Sequence, residues 1–224
     1  MVCASTLSAC GSAGGGPDPA GDRRSTPTAT ISSCLEVGAS KSAKVDLDGD
    51  GTPEDVDASA SGRCPGSVSA KIDGSLVSGS IEDRTPVTAA FGVTLEGRDS
   101  QLVVTRQDHP RGGFQVRIFA LDGEKLTELT DGGNALVPFV ATDVSDQDPL
   151  SVDCDGDRIV VTRGVTHEPV GVLPAWDITE TSYTLDGAEI SDTATAEVAD
   201  NVLPKQLPQK YPALVKHTLF ASCR

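Results

Sequence analysis

The sequence predicts an all-β protein, a single domain built as a propeller-like arrangement of about three hairpin-rich repeat units. The chain contains short runs rich in Val, Ile, Thr and Phe, and apolar and polar residues alternate within them. This period of two residues is typical of a half-buried strand. Long amphipathic helical patterns are scarce. Asp-Gly dipeptides recur between the runs, and Asp-Gly suits a tight hairpin because Gly adopts positive φ without steric penalty.

The repeat units are seen most clearly in two segments that resemble each other. Residues 101–106 and 114–123 form a strand, loop, strand and Asp-Gly turn, and residues 158–163 and 178–187 repeat this order. A fainter copy surrounds Asp73-Gly74. The predicted units span roughly residues 44–82, 92–130 and 140–196. Three units are fewer than an ordinary propeller has, so the domain is expected to be propeller-like or, as the alternative, sandwich-like, with about ten to twelve strands in either case.

The C-terminal segment departs from the hairpin pattern. Residues 199–216 contain three prolines, at positions 204, 208 and 212. Because proline lacks the N–H that a ladder or a helix interior needs, we expect irregular structure with one helical turn. A last strand is predicted at Thr218–Phe220.

The net charge argues against two classes of partner. The 224 residues carry a formal net charge of −15. Nucleic acid requires a basic face, and so does electrostatic docking on anionic lipid. We therefore expect no nucleic-acid partner, and no run of 18 apolar residues is present to span a membrane.

The N-terminus predicts a lipid anchor. Leu7-Ser8-Ala9-Cys10 fits the lipobox of bacterial lipoproteins, in which the Cys is lipidated. Residues 1–10 would be a truncated signal peptide, since a basic region and an apolar region are missing. Residues 11–30 are rich in Gly, Ser, Pro and Thr and predict a disordered tether before a β domain over 31–224. The prediction is an extracytoplasmic protein held on the bacterial cell membrane by lipid alone; the alternative is a cytoplasmic domain.

Cysteine usage favours export. If Cys10 carries lipid and Cys3 is removed with the signal, four cysteines remain, at positions 34, 64, 154 and 223. An even number in an exported chain suggests two disulfides, with three possible pairings. The favoured pairing is Cys34–Cys64 and Cys154–Cys223, and the alternative is four free thiols in a reducing compartment.

One motif carries specific chemistry, the Asp-x-Asp-x-Asp-Gly loop that begins at Asp46. Ca²⁺ prefers six to eight hard oxygen ligands, and alternate residues of a curled loop point their carboxylates inward. Gly51 would permit the sharp turn. The predicted calcium ligands are Asp46, Asp48, Asp50, the Thr52 carbonyl and Glu54. An acidic surface turn with weak affinity for cations is the alternative.

The residues after the loop decide between two kinds of calcium loop. An EF-hand has flanking helices and a Glu at position twelve, whereas this chain has Asp57 there and continues as a strand. The phrase Asp-Leu-Asp-Gly-Asp-Gly-Thr-Pro-Glu-Asp-Val (residues 46–56) resembles the calcium loop of FG-GAP/VCBS-type repeats, most closely those of small actinobacterial lipoproteins. That resemblance implies strands on both sides of the loop and the ligand set given above.

Later loops lack this motif. Residues 95–100 occupy the matching place in the second unit, but Arg98 stands where a ligand is expected. Residues 153–158 lack the Gly after the third Asp, so Asp155-Gly156 is interpreted as a hairpin turn. The acidic positions 143, 146 and 148 are interpreted as a solvated loop.

Two histidines leave an alternative function open. His109 and His167 each fall in the first hairpin loop of a unit, beside a carboxylate, and such pairs support metal binding or acid–base chemistry. The favoured interpretation is two exposed loop residues, and we expect no enzyme. The leading hypothesis is a monomeric, calcium-stabilised envelope protein with a binding or structural role and an unidentified protein or glycan partner. The alternative is an envelope hydrolase or carbohydrate-processing accessory.

Overall fold

Antiparallel strands dominate the part of the chain that the structure describes. In this computed structural model the described residues are 40–61, 64–142, 149–167 and 175–223. They form fourteen strands and two one-turn helices: β1 (Ser40–Val45), β2 (Glu54–Ser61), β3 (Cys64–Ile72), β4 (Ser75–Ile81), β5 (Val87–Val93), β6 (Leu102–Asp108), β7 (Phe114–Asp122), β8 (Lys125–Glu128), β9 (Thr130–Asp131), β10 (Asn134–Ala135), β11 (Leu150–Asp155), β12 (Arg158–His167), β13 (Ala175–Asp186), β14 (Glu189–Val202), α1 (Leu207–Lys210) and α2 (Pro212–Val215).

The first eight strands form one sheet that curls into a nearly closed barrel. Their order is β1-β2-β3-β4-β8-β7-β6-β5. The two ends of this sheet approach each other: a Cβ atom placed on Gly92 of β5 would lie only 3.3 Å from the Val45 side chain of β1. Every second side chain of a strand points into the barrel and fills its interior. In β2 these side chains are Val56, Ala58 and Ala60, which are all buried in the barrel core.

The remaining long strands form a second sheet beside the barrel, in the order β11-β12-β13-β14. A shared core lies between the two. Val152 and Ile159 of the second sheet, both 0 % exposed, belong to the same buried cluster as Leu102 and Phe114 of the barrel.

The predicted hairpin turns are present. Two-residue turns link β3 to β4, β7 to β8, β11 to β12 and β13 to β14. At the first of them Asp73 and Gly74 both have positive φ, 51° and 82°, which is the backbone of a type I′ turn. Asp155-Gly156 also forms a hairpin, with Asp155 paired to Arg158, as the sequence indicated.

The far end of the second sheet is covered by the C-terminal segment. Trp176 and Ile178 of β13 pack with Leu207 of α1 and Leu214 of α2. Each helix has a proline in its first turn, where no N–H is needed. The predicted last strand is a single parallel bridge between Leu219 and Val152. Within the described ranges, no helix is long and apolar enough to cross a membrane.

A disulfide ties down the C-terminus. Cys154 at the end of β11 is bonded to Cys223, and their Cα atoms are 5.2 Å apart. This half of the predicted pairing is confirmed. Cys10, Cys34 and the tether at 11–30 lie outside the described residues, and so does the side chain of Cys64. The pairing of Cys34 with Cys64 stays a prediction.

The all-β class is confirmed, whereas a three-unit propeller is not shown. The first two predicted units join in one sheet, because β4 and β8 pair in parallel at Ser78 and Lys125. Asp-Gly signals specify the pairing of neighbouring strands only. Which free edges meet afterwards depends on packing between residues distant in sequence.

Candidate metal centre

The loop between β1 and β2 carries the predicted calcium motif. Val45 pairs with Glu54, so residues 46–53 form the turn of this hairpin. Leu47 is 0 % exposed and belongs to the barrel core, which anchors the loop from inside. Gly49 and Gly51 have φ of 79° and 86°, values that favour glycine. The two glycines of the motif therefore allow the loop to adopt a left-handed backbone at these two positions.

Three predicted ligands converge. Asp46, Asp48 and Asp50 each offer a carboxylate oxygen, and these oxygens all lie within 4.8 Å of one another. Two ligands of one Ca²⁺ are separated by at most about 4.8 Å, twice a Ca–O distance of about 2.4 Å. Asp46 is half-buried, while Asp48 and Asp50 are exposed. The three oxygens are thus close enough together to bind one ion that enters from solvent.

Backbone amides hold the carboxylates in place. Gly49 N and Gly51 N donate to the two oxygens of Asp46, each at 2.9 Å. Asp50 N donates to Asp48 at 3.1 Å. The loop positions its carboxylates through its own main chain, as Asx-type turns do.

Thr52 and Glu54 have different places in the loop. Thr52 N donates to Asp50 Oδ1 at 2.6 Å. Glu54 Oε2 accepts from Leu47 N at 2.8 Å, so this carboxylate closes the base of the loop. Glu54 is not one of the three residues that converge. The structure thus brings Asp46, Asp48 and Asp50 together, whereas the Glu54 carboxylate binds the main chain at Leu47.

A residue that sequence reasoning missed supports the loop from the neighbouring β5–β6 connection. Gln101 Oε1 accepts from Asp46 N at 2.9 Å, and Gln101 N donates to the Asp46 carbonyl. Gln101 Nε2 in turn donates to Thr94 Oγ1. Gln101 lies 55 residues from Asp46, and a single uncharged residue at that separation gives no local signal. The one available indication was that Gln101 directly follows residues 95–100, the segment of the second unit that corresponds to the calcium motif of the first.

The residues present fit a calcium ion. Ca²⁺ takes carboxylate and carbonyl oxygens in flexible numbers, and the loop brings three carboxylates together. Three adjacent carboxylates repel one another, and a divalent cation removes that repulsion. Asp46, Asp48 and Asp50 would hold the ion, with the Thr52 carbonyl and water as further ligands.

The other acidic loops are arranged differently. Arg98, which replaces a ligand in the second unit, donates from Nη1 to the Gly187 carbonyl at 2.7 Å and links the barrel to the second sheet. Asp153 accepts from Ser222 N and Ser222 Oγ at 2.8 and 3.0 Å and fixes the C-terminus beside the disulfide. Positions 143, 146 and 148 lie outside the described residues.

The two histidines are placed in separate elements. His109 follows β6, and its Nε2 lies 3.2 Å from Asp83 Oδ2, an ion-pair distance without the alignment of a hydrogen bond. Its ring packs edge-on against Phe139, with centroids 4.9 Å apart. His167 is the last residue of β12, and its side chain lies outside the described residues.

Asp83 is the carboxylate beside His109. Burial alone would raise the pKa of Asp83, but hydrogen bonds from the amide and hydroxyl of Thr85 and the charges of His109 and Arg117 lower it below its ordinary value. Asp83 is therefore ionised and already hydrogen-bonded, which suits a structural contact between the β4–β5 connection and the β6–β7 loop.

Comparison with known proteins adds no family. No family model matches the chain, and neither the curated proteins nor the solved structures include a match. The resemblance to FG-GAP/VCBS-type repeats therefore rests on the loop at 46–56 and stays a prediction.

Proposed function

We propose that this chain is a lipid-anchored extracytoplasmic protein of the bacterial envelope, whose β fold is stabilised by calcium and whose role is binding or structural. The observation that carries the proposal is the convergence of Asp46, Asp48 and Asp50 within 4.8 Å. The loop belongs to the FG-GAP/VCBS type in this proposal.

The position of the loop supports a stabilising role for calcium. The loop joins the edge strand β1 to β2 and contacts the β5–β6 connection through Gln101. These elements lie where the two ends of the barrel sheet meet. An ion bound there would hold the closure of the barrel. Because the ion binds the folded loop and not the unfolded chain, binding adds to the free energy of unfolding.

The disulfide supports the proposed compartment. Cys154 and Cys223 are bonded, and disulfides persist in oxidising, extracytoplasmic environments. Lipidation of Cys10 is the matching proposal for the N-terminus. Mass spectrometry of the protein isolated from the cells that produce it should find a diacylglyceryl group on Cys10. An unmodified Cys10 in that material would overturn the membrane anchor.

Calcium titration tests the metal site directly. The full chain, with Cys10→Ser to prevent lipidation, is stripped with chelator and titrated with Ca²⁺ in a calorimeter. We expect one ion per chain and a melting temperature raised by several degrees. Asp48→Asn should abolish both effects. The matched control is Asp73→Asn, which removes the same charge from an exposed turn and should leave both effects intact. No heat at millimolar calcium would reduce the motif to an acidic turn.

A further inference from the structure

The last strand of the second sheet is exposed to an unusual degree. Eight consecutive residues of β14, Ser191 to Val198, are all exposed. Successive side chains of a strand point to opposite faces, so both faces of this stretch lie in water. An ordinary antiparallel strand buries one face. This stretch of β14 contributes little buried surface to the fold.

The outer edge of β14 is also unpaired. β14 is the terminal strand of its sheet and pairs only with β13 among the described residues. From Asp192 to Glu197 this pairing is regular, and the register shifts lie outside that stretch. Natural edges are usually protected by charged side chains, Pro or a bulge. The stretch 192–197 has no Pro or bulge, and its charged residues, Asp192 and Glu197, stand only at its ends, on either side of Thr-Ala-Thr-Ala.

The charge around this edge has one sign. The hairpin from Ala175 to Val202 contains seven acidic residues and no Lys or Arg. Four of the carboxylates are on β14 itself, at Glu189, Asp192, Glu197 and Asp200. Arg98 reaches the turn of the hairpin, where it donates to the Gly187 carbonyl. The free edge is thus acidic along its length, and a second copy of this chain, with its net charge of −15, would be repelled.

An acidic groove continues this edge. A cavity of about 550 Å³ lies between the first residues of β14 and the strands β8 and β9. Glu128 and Asp131 line one wall, and Glu189 and Asp192 line the other. Glu128 is paired with Arg117, so three of these four carboxylates have no basic partner within the described residues. Burial and the charge of Asp131 raise the pKa of Tyr183, which is consistent with an acidic environment here.

We propose that β14 is a docking edge for an extended, basic polypeptide segment of a partner protein. The segment would add a strand to the sheet along residues 192–197, with main-chain hydrogen bonds supplying affinity. Asp192 and Glu197 are five residues apart in this regular stretch and so lie on opposite faces. Lys or Arg side chains on both faces of the added strand would meet the carboxylates of β14 and of the groove, which would select basic sequences. The surface is separate from the loop at 46–54, so it goes beyond the proposed calcium-stabilised role and stands independently of it.

A peptide with a matched control tests this proposal. The probe is a fluorescein-labelled octapeptide in which pairs of lysine alternate with pairs of valine, so that both faces of the added strand carry lysine. The control is the same peptide with an N-methyl group on every residue, which keeps the charge and blocks strand pairing at both edges of the peptide. Fluorescence anisotropy with the full chain should show binding to the probe, at least about tenfold weaker for the methylated form. Equal binding of both peptides, or no binding of either, would overturn the proposal.

Two pairs of substitutions test whether binding depends on the carboxylates of β14 or only on the net negative charge of the protein. Asp192→Asn with Glu197→Gln should weaken binding about three- to tenfold, the effect of two exposed ion pairs. Asp73→Asn with Glu124→Gln removes the same charge from exposed turns of the barrel and should leave binding unchanged. Hydrogen exchange should show new protection at 192–197 when the probe is bound. Equal weakening by both pairs would contradict the assignment.

Two further measurements test whether peptide binding depends on calcium and whether a second copy of the chain occupies the edge. Titration in chelator and in calcium should give the same affinity, so failure of the calcium site would leave this result intact. Sedimentation of the protein alone tests for a second copy on the same edge. A concentration-dependent dimer that shields residues 192–197 from exchange would overturn the proposal in favour of self-association.

Discussion

At the scale of single residues, the candidate metal loop depends on close contacts of its main chain. Gly49 has φ of 79°, and a Cβ at this position would lie 2.9 Å from the Cβ of Asp99. Gly97 has a similar φ of 77°, but a Cβ there would meet nothing within 4 Å. These two glycines separate the cost of a left-handed backbone from the cost of crowding.

Gly49→Ala should destabilise the protein more than Gly97→Ala. Both substitutions place a side chain at positive φ, which costs about 1 kcal/mol. Only Gly49→Ala also pushes Asp99 away from the loop, which adds about 1–2 kcal/mol as in other overpacked sites. Urea denaturation in chelator measures both variants without a contribution from calcium. If both variants lose the same free energy of unfolding, the β5–β6 connection moves away from the new side chain at no measurable cost.

Asp83 should make stability depend on pH. Its folded-state pKa is lowered from the ordinary value of 3.8, so its contribution is present above that pH and is lost as the pH falls below it. Asp83→Asn removes the contribution at every pH. Urea denaturation should therefore show a larger deficit for the variant at about pH 6 than at about pH 2.5. Asp73→Asn, in an exposed turn, is the control, and a deficit for Asp83→Asn that does not change with pH would contradict this role.

At the scale of elements, the C-terminal segment has no long strand or helix of its own to hold it. α1 and α2 are four residues each, and Leu219 makes a single bridge to β11. The disulfide to Cys223 and the hydrogen bonds from Ser222 to Asp153 fix its end. The segment matters because Leu207 and Leu214 cover Trp176.

Cys154→Ser with Cys223→Ser should lower the free energy of unfolding by up to about 4 kcal/mol in the chain-entropy model, given a sequence separation of 69. Denaturation followed by Trp176 fluorescence measures the loss. Trp176 packs against α1 and α2, so its emission should also shift to longer wavelength in the folded variant if the segment loosens. A loss under about 1 kcal/mol would contradict the chain-entropy estimate and would show that the unfolded chain keeps residual structure near these two positions.

The sequence predicted elements better than it predicted their assembly. Alternation and Asp-Gly turns located β2, β6, β7, β12 and β13. The same signals missed the parallel pairing of β4 with β8, because one pair at Ser78 and Lys125 leaves no periodic pattern. The candidate site divides likewise: the spacing of Asp46, Asp48 and Asp50 predicted their convergence, whereas Gln101 comes from a connection that only the barrel brings near.

At the scale of the whole molecule, the barrel and the second sheet share one core. Residues of both sheets belong to a single buried cluster, and two polar contacts at its margin join them. Glu96 N donates to the Gly156 carbonyl, and Arg98 donates to the Gly187 carbonyl. The second sheet buries residues such as Ile159 against the barrel, and β6 and β7 bury Val104 and Ile118 in the same cluster, on the face opposite to the barrel core. Because both sheets contribute to this cluster, the two should unfold together.

Ile159→Ala tests this coupling from within the second sheet. Ile159 is 0 % exposed in the shared cluster, so the substitution should cost about 2–5 kcal/mol. Val165→Ala in the same strand is the control, because Val165 is 44 % exposed and should cost under about 0.5 kcal/mol. Trp176 fluorescence reports on the second sheet, and hydrogen exchange of β2 and β3 reports on the barrel. Both should lose the same free energy in Ile159→Ala, because the cavity weakens a core that belongs to both sheets. Barrel amides that keep their full protection while the Trp176 transition shifts would show instead that the two sheets unfold as separate units.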